Sequence, residues 1–483
     1  MTDAIKSIDY KQVFHFFDEI SSIPRGSRNN QAISDYLVAF AKERGLIYTQ
    51  DEALNVVIIK EASKGCESKD TVILQGHMDM VCLKDPDSTH DFLKDALTLQ
   101  VEGDFIRANK TTLGGDNGIA IAYALALLDS NEFLHPRLEV IITTDEEIGL
   151  LGATALDTSS LKAKYMINLD SEEESSILVG CAGGMTSSAT FEMEKEMKAG
   201  VEVKVCLLGL KGGHSGVDIT KNRTNGTLLA ARMMMSLRTH TYSLCNMESG
   251  EKDNAIPSVS KLTFVVKEDE VQSFVNRMET LKGIYQKELL SSEPNFEMII
   301  SVGEKGEFPC LNKVSLEKVL LFITYVPNGI QRMSADIEGL VESSLNLGIC
   351  KVDANQALFS YSVRSSVATY KEYMSEKIAF FTNFFGGEYK SMGEYPAWEY
   401  KHDSKLRELC IELYEEQFHR KPIVETIHAG LECGIFSDRI PGLDIVSIGP
   451  DMLDVHTPSE RLSISSTIRV FDYIVKILER LSK

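Results

Sequence analysis

The sequence predicts an α/β protein with a mainly parallel sheet covered by helices on both faces, interrupted by a separate α+β insertion. Three observations predict it. Continuous apolar runs alternate with helical patterns between residues 54 and 180. The same alternation returns after residue 396. Between them, from about residue 187 to 395, the rhythm changes to paired strands separated by long helices.

The chain opens with two predicted helices. DYKQVFHFFDEI sets Tyr10, Val13, Phe17 and Ile20 at helical spacing. NNQAISDYLVAFAKERG does the same with Ile33, Leu37 and Phe40, then stops at Gly45, a residue suited to a helix C-terminus. The turn SSIPRGSRN joins them. LNVVIIK and TVILQG read as strands, GIAIAYALALLDS as a helix, and LEVIITT and KYMINLD as strands. Apolar runs without alternation belong to sheets covered on both faces. Late in the chain LRELCIELYEEQF is helical, GLDIVSIG is a strand, and a final helix places Ile468, Phe471, Val475 and Leu478 on one face. One α/β domain is therefore expected from residues 1–186 and 396–483.

In the middle, the strand VEVKVCLLGL is followed by the helix GTLLAARMMMSLRTH and the strands TYSLCNM and SKLTFVVK. The helix EVQSFVNRMETLKGIYQKEL and the strand FEMIISV complete a block. The order repeats in NKVSLEKVLLFITYV, SSLNLGICKV, ALFSYSVRSS, TYKEYMSEKIAFFTNFF and GGEYKSM. Two αββαβ blocks predict a lid, 187–395, of two tandem α+β lobes near 187–305 and 306–395. Its joins are the Gly- and Pro-marked GGMTSS and MGEYPAW.

Composition narrows the function. The formal charge of −21 over 483 residues repels phosphate backbones and argues against nucleic-acid binding, while it suits a site that gathers cations. The nine cysteines are odd in number and never spaced C-x-x-C, so reduced, buried thiols in the cytoplasm are expected. MTDAIKSIDYKQVF carries no long apolar core of a signal peptide, and no run approaches the roughly 18 apolar residues of a membrane span.

The acidic and histidine residues collect at the ends of the strands. His77 and Asp79 follow TVILQG, Asp116 lies in the Gly-rich turn LGGDNGIA, Glu146 and Glu147 follow LEVIITT, Asp170 ends KYMINLD, and His456 follows GLDIVSIGP. In open α/β sheets ligands bind at that edge. One H-x-D, one DEE or one GGDNG is usually structural, but five such elements at one edge make a divalent-metal site. Ligand counting gives two ions, one on His77 and Asp170, one on Glu147 and His456, with Asp116 bridging. Two such ions share a water, acidify it and polarise a substrate carbonyl. Glu146 is then the natural general base. Asp79, two residues past His77 on the same strand face, is placed to orient the imidazole.

GHMDMV, GGDNGIA, TDEEIGLLGA, NLDSEE and VHTPSE resemble, in order and across nearly the full length, the five metal motifs of the di-zinc metallopeptidases. That family includes aminoacylases, glutamate carboxypeptidases and dipeptidases. PRGSRN, KGGHSG and HAGLECGIF, with the long lid, resemble its bacterial aminoacyl-histidine dipeptidase group. The resemblance implies a zinc-aminopeptidase-like mixed sheet interrupted by ferredoxin-like lobes, two zinc ions (cobalt or manganese also suiting the donors), and a dipeptide substrate with free ends. It implies a cis peptide between Asp116 and Asn117, Glu146 as base and Asp79 as orienter. It further implies that His214 in LKGGHSGVD steadies the oxyanion with help from Asn254 in DNAIP, and that Arg364 in YSVRSS grips the substrate carboxylate. Gly430 in HAGLE is a candidate for backbone contacts to substrate, and His428 and Glu432 carry weaker signals.

In single-lobed relatives the lid His and Asn serve the partner subunit's site. Here His214 and Asn254 fall in the first block and Arg364 in the second, so one chain, as monomer or homodimer, is expected to complete a site. The rival readings are an N-acyl-amino-acid amidohydrolase of the same fold and a non-catalytic metal- or peptide-binding protein, which would not need Glu146.

Overall fold

Apolar runs without polar alternation become the centre of an eight-stranded mixed sheet. The computed structural model describes residues 8, 10 and 12–483. Asp9 and Lys11, in the first predicted helix, lie outside the described residues; the helix itself runs Val13–Ser21. Its successor, Gln31–Glu43, ends before Gly45, which takes φ +63°.

The chain forms two compact units. One runs to Cys181 and resumes over Tyr400–Thr426 and Leu431–Lys483; the other comprises Ala182–Glu399 and Ile427–Gly430. The segment Ile427–Gly430 departs from the expectation that 396–483 forms part of one domain. Its backbone carbonyls explain why: Ala182 N–H donates to Ile427 O and Ala429 O, each at 3.1 Å.

In the first unit, Leu138–Thr143, Val72–His77, Tyr165–Asn168 and Asp444–Ser447 lie side by side and parallel. Val56–Lys60 and Ile47–Gln50 extend one side antiparallel; Ser176–Cys181 pairs antiparallel on the other, followed by Ile423–Ile427. The helix Gly115–Asp129 is buried on every side from Asn117 to Leu128, as an all-apolar helix must be. The final helix, Ile464–Leu481, buries Val470, Phe471, Ile474, Val475, Ile477 and Leu478. None of the nine cysteines forms a disulfide. Among the described residues no helix is long and apolar enough to cross a membrane.

The second unit is organised around one nine-stranded sheet. Half of it is Lys195–Leu208, Ser243–Ser249, Ser260–Val266 and Glu297–Leu311, with helices Gly226–Ser236 and Val271–Glu288. In space these strands run fourth, first, third, second, the ferredoxin-like order. The other half repeats that order with Gly183–Glu192, Val341–Val352, Gln356–Ser365 and Glu388–Tyr395, and with helices Lys313–Tyr325 and Ala368–Phe384; the ninth strand, Gly329–Met333, pairs with Val341–Val352 off this path. The halves join where Met247, Glu248 and Ser249 pair with Val352, Lys351 and Cys350.

The lobes are therefore nested rather than strictly tandem. Gly183–Glu192, the first strand of the second lobe, precedes the whole first lobe. Sequence reading passed over this strand because its buried face, Met185, Ser187, Ala189 and Phe191, carries a serine where an apolar residue would reveal the alternation. The inserted lobe begins and ends at one point: Lys195 pairs with Leu311, and Asn312 N–H donates to Glu194 O at 2.9 Å.

Phe322 is fully buried in this unit, with ring centroids 4.9 Å from Phe191 and 4.8 Å from Phe359. Phe322→Ala is expected to lower the unit's stability by about 3–5 kcal/mol through the cavity it leaves. Denaturant unfolding measures this, and an unchanged midpoint would contradict the packing described.

Candidate functional site

The parallel strands end at one edge of the sheet and hand their next residues to one place. His77 is the last residue of its strand, and Asp79 follows two residues later. Thr143 ends a strand three residues before Glu146, and Asn168 ends another two residues before Asp170. Asp116 enters at the start of the buried helix, and its peptide to Asn117 is cis. His456 comes from the loop between Met452–Leu453 and Arg461–Ser463, at φ +61°.

Five of these side chains form two overlapping groups, His77–Asp116–Asp170 and Asp116–Glu147–His456, each with ligand atoms within 4.8 Å of one another. Asp116 belongs to both and splits its oxygens: Oδ1 is 3.1 Å from His77 Nε2, and Oδ2 is 3.0 Å from His456 Nε2. His77 Nε2 is 3.4 Å from Asp170 Oδ1, and His456 Nε2 is 3.0 Å from Glu147 Oε1. Glu146 stands beside them, with Oε2 at 3.9 Å from His77 Nε2, and forms a third group with His77 and Glu147.

Asp79 does more than sit behind His77. Its carboxylate lies 3.5 Å from His77 Nδ1, while its own backbone carbonyl is nearer, at 3.1 Å. Both carboxylate oxygens also hold the acidic loop: Oδ1 accepts from Glu146 N–H at 3.0 Å and Oδ2 from Glu147 N–H at 3.4 Å. Ser27 Oγ donates to Oδ2 at 2.8 Å.

Several site-building residues carried no legible role in the sequence. Arg25 is buried and aims its guanidinium at backbone: Nη1 donates to Met78 O at 3.1 Å and Asp79 O at 3.4 Å, and Nη2 to Gly114 O. Gly114, at φ +64°, leaves the room this needs, since a Cβ there would fall 2.5 Å from Nη2. Glu460 cradles the same turn, accepting from the N–H groups of Leu113 (2.7 Å), Gly114 (3.0 Å), Gly115 (2.8 Å) and Asp116 (3.4 Å). Beneath the site, Glu432 accepts from Thr143 Oγ1 at 2.6 Å and from Gln75 Nε2, and Asn168 Nδ2 donates to Gln75. Arg25 and Glu460 fell within quoted motifs, PRGSRN and VHTPSE, but only partners far along the chain reveal what they hold.

Crowded acids disturb each other's protonation. Burial pushes Glu146 well above the usual carboxylate range, and Asp170, Glu432 and Glu147 add repulsion against the pull of His77. Burial likewise takes Asp170 up to about 6 and Glu432 up to about 8. Burial works to raise Asp116 too, but hydrogen bonds from His456 and His77 outweigh it and hold Asp116 low. Hydrogen bonds to Asp116 and Glu147 raise His456 to about 11 against its burial. Two imidazoles and several carboxylates converging in this way fit divalent ions that take nitrogen and oxygen donors.

Residues 73–480 match peptidase family M20/M25/M40. The chain belongs to that family. It is a metallopeptidase, and its substrate hydrolysis is peptide-bond hydrolysis. The M20 chain is 33% identical over 480 residues to the cytosol non-specific dipeptidase of Escherichia coli (strain K12), covering 99% of each. It is similar in structure to the aminoacylhistidine dipeptidase of Vibrio alginolyticus, with TM-score 0.89 and 32% identity over 99% of this chain and 98% of that one. Aminopeptidase PepT of Bacillus cereus shares the fold at TM-score 0.57 and 16% identity, over 99% of this chain and 100% of that one.

In the second unit of this M20 peptidase, His214 and Asn254 lie on neighbouring segments. Gly213–His214 pairs with Ala255–Ile256, and Ser215 N–H donates to Asn254 O at 2.8 Å. The Asn254 side chain is exposed. His214 Nδ1 accepts from the N–H groups of Gly216 (3.3 Å) and Val217 (3.2 Å), so the ring proton belongs on Nε2. That Nε2 lies 3.3 Å from Arg364 Nη2, which places two N–H groups side by side. Burial, then Arg364, lowers the His214 pKa, so the ring is neutral at pH 7. Arg364 itself is buried, and among the described residues no carboxylate forms an ion pair with it. His428 Nε2 meets Ser344 Oγ at 2.7 Å, and Gly430 packs against the Tyr395 ring.

Protons and divalent ions compete for the imidazoles. Asp116 and Glu147 raise His456 to about 11, so a protonated His456 would have to release its proton before binding an ion. Apparent metal affinity is therefore expected to rise about tenfold per pH unit for each proton released. Calorimetry on chelator-stripped protein in buffers of differing ionisation enthalpy measures this. A pH-independent affinity would show that ion binding displaces no proton from the site. Asp116→Asn is expected to weaken both ions together.

Proposed function

We propose that this M20 peptidase is a two-metal dipeptidase cleaving dipeptides with a free amino terminus and a free C-terminal carboxylate. Glu146 carries the reading. It is a half-buried carboxyl outside the two groups that share Asp116, beside His77, and its pKa is raised above the usual carboxylate range, which suits a residue that takes up and returns a proton. The names of the two full-length relatives support dipeptides as the substrate class. The cytosolic name of the E. coli relative supports a cytoplasmic location. Zinc suits the donors, as do cobalt and manganese.

One ion is assigned to His77, Asp116 and Asp170, the other to Asp116, Glu147 and His456. Such a pair supplies an acidified water and a Lewis acid for the carbonyl. Glu146 accepts the nucleophile's proton on its carboxylate and delivers it to the leaving amine nitrogen. Asp79 keeps the Glu146–Glu147 loop and the His77 ring in register. His214 donates from Nε2 to the developing oxyanion with Asn254 assisting, and Arg364 binds the substrate carboxylate. The inserted lobe carries His214 and Asn254 and the other carries Arg364, so one chain supplies all three.

Glu146→Ala is expected to lower kcat by about 10²–10⁴ while metal content per chain stays constant. Unchanged turnover would defeat the mechanism. Hydrolysis of N-acetyl-His as well as Ala-His would favour an amidohydrolase instead. Mixing His214→Ala and Glu146→Ala proteins should restore no activity, because each inactive chain lacks part of its own site. Recovery would show that subunits share sites.

A further inference from the structure

A row of residues crosses four strands of the second unit. Ser344 pairs with Arg364, Arg364 with Gly184, and Gly184 with Tyr395. Directly paired residues project from the same face of a sheet. Gly184 thus leaves an open slot between Arg364 and Tyr395, and the tyrosine reaches across it: Arg364 Nη1 donates to Tyr395 Oη at 2.9 Å. The slot has no spare room. A Cβ on Gly184 would fall 2.4 Å from Tyr395 Oη, and one on Gly430 would fall 2.6 Å from Cε2 on the same ring. Tyr395 is also held by its backbone, because buried Lys371 donates from Nζ to Tyr395 O at 2.9 Å.

A guanidinium can offer a carboxylate either its Nη1–Nη2 end or its Nε–Nη2 side. Tyr395 occupies Nη1. Arg364 Nε is buried and has no hydrogen-bond partner among the described residues, and Nη2 faces only the donor at His214 Nε2. The Nε–Nη2 side is the edge left with unmet donors. A buried cation without an acid partner costs free energy until an anion arrives.

We propose that Tyr395 is a positioning residue that fixes the Arg364 guanidinium so that its Nε–Nη2 edge, rather than its Nη1–Nη2 end, receives the substrate carboxylate. This rests on the reading of Arg364 as the carboxylate-binding residue and deepens it. Gly184 and Gly430 are part of the same device, since each makes space for the tyrosine ring. Without the hydroxyl, Arg364 keeps its charge but loses its fixed orientation.

The test uses metal-loaded enzyme with Ala-His and with its C-terminal amide, in the parent, Tyr395→Phe, Arg364→Ala and the double variant. Tyr395→Phe is expected to raise KM for Ala-His about tenfold, the worth of one hydrogen bond to a charged group, and to leave kcat within about twofold. KM for the amide should not move, and in the Arg364→Ala background the tyrosine change should have no further effect. An unchanged KM, equal shifts on both substrates, a fall in kcat alone, or an effect that persists without Arg364 would each overturn the inference. If Arg364→Ala keeps the full preference for the free acid, the reading of Arg364 itself fails. If Arg364→Ala removes that preference and Tyr395→Phe leaves it intact, only the role of Tyr395 fails.

Discussion

Carboxylates brought together in a buried space repel one another, and resisting that repulsion is the constraint on which the first unit depends. The nearest cationic side chain could have neutralised them, but then it would compete with any ion they bind. Among the described residues no lysine or arginine forms an ion pair with Asp116, Glu147 or Asp170; their partners are imidazoles. Arg25, the buried guanidinium closest in role, directs its hydrogen bonds to the carbonyls of Met78, Asp79 and Gly114. Glu460 binds backbone N–H groups of the turn that carries Asp116. The loops are thereby fixed by their backbones, while the carboxylate oxygens of Asp116, Glu147 and Asp170 stay available to the imidazoles and to ions. Second-layer partners of this kind determine where ligands point.

The second unit presents the opposite electrostatic problem. In a chain of formal charge −21, Arg364 is buried, and among the described residues no carboxylate pairs with it. Its neighbours are a tyrosine hydroxyl and a neutral imidazole that presents its own N–H. The acidic cluster and this guanidinium are built from separate sheets.

What the sequence made legible follows from range. His77, Asp79, Glu146, Glu147 and Asp170 follow buried strands closely, so local periodicity placed them at one edge. His456 and Asp116 sit in loops, and a shared edge with the others identified them. Arg25 escaped because its partners lie 53 or more positions away, and Glu460 because its four N–H partners lie more than 340 positions away. Glu432 gave only a weak signal for the same reason: Gln75 and Thr143, which fix it, are distant in sequence. Tyr395 reads as one more aromatic on a short strand until the pairing with Gly184 shows what it reaches across. The strand Gly183–Glu192 was missed for a local reason, its serine at a buried position, and with it the nesting of the lobes.

That nesting makes the first lobe a module. Its two ends meet at the pairing of Lys195 with Leu311, where Glu194 and Asn312 are already hydrogen-bonded. Chain ends that lie together are where a folded segment can be inserted or removed without disturbing its host. The host lobe keeps all four of its strands and both helices on either side of the cut. Any exchange there has to keep the pairing of Met247–Ser249 with Cys350–Val352, and His214 and Asn254 travel with whatever is exchanged. Arg364 and Tyr395 stay on the host lobe whatever the inserted lobe becomes.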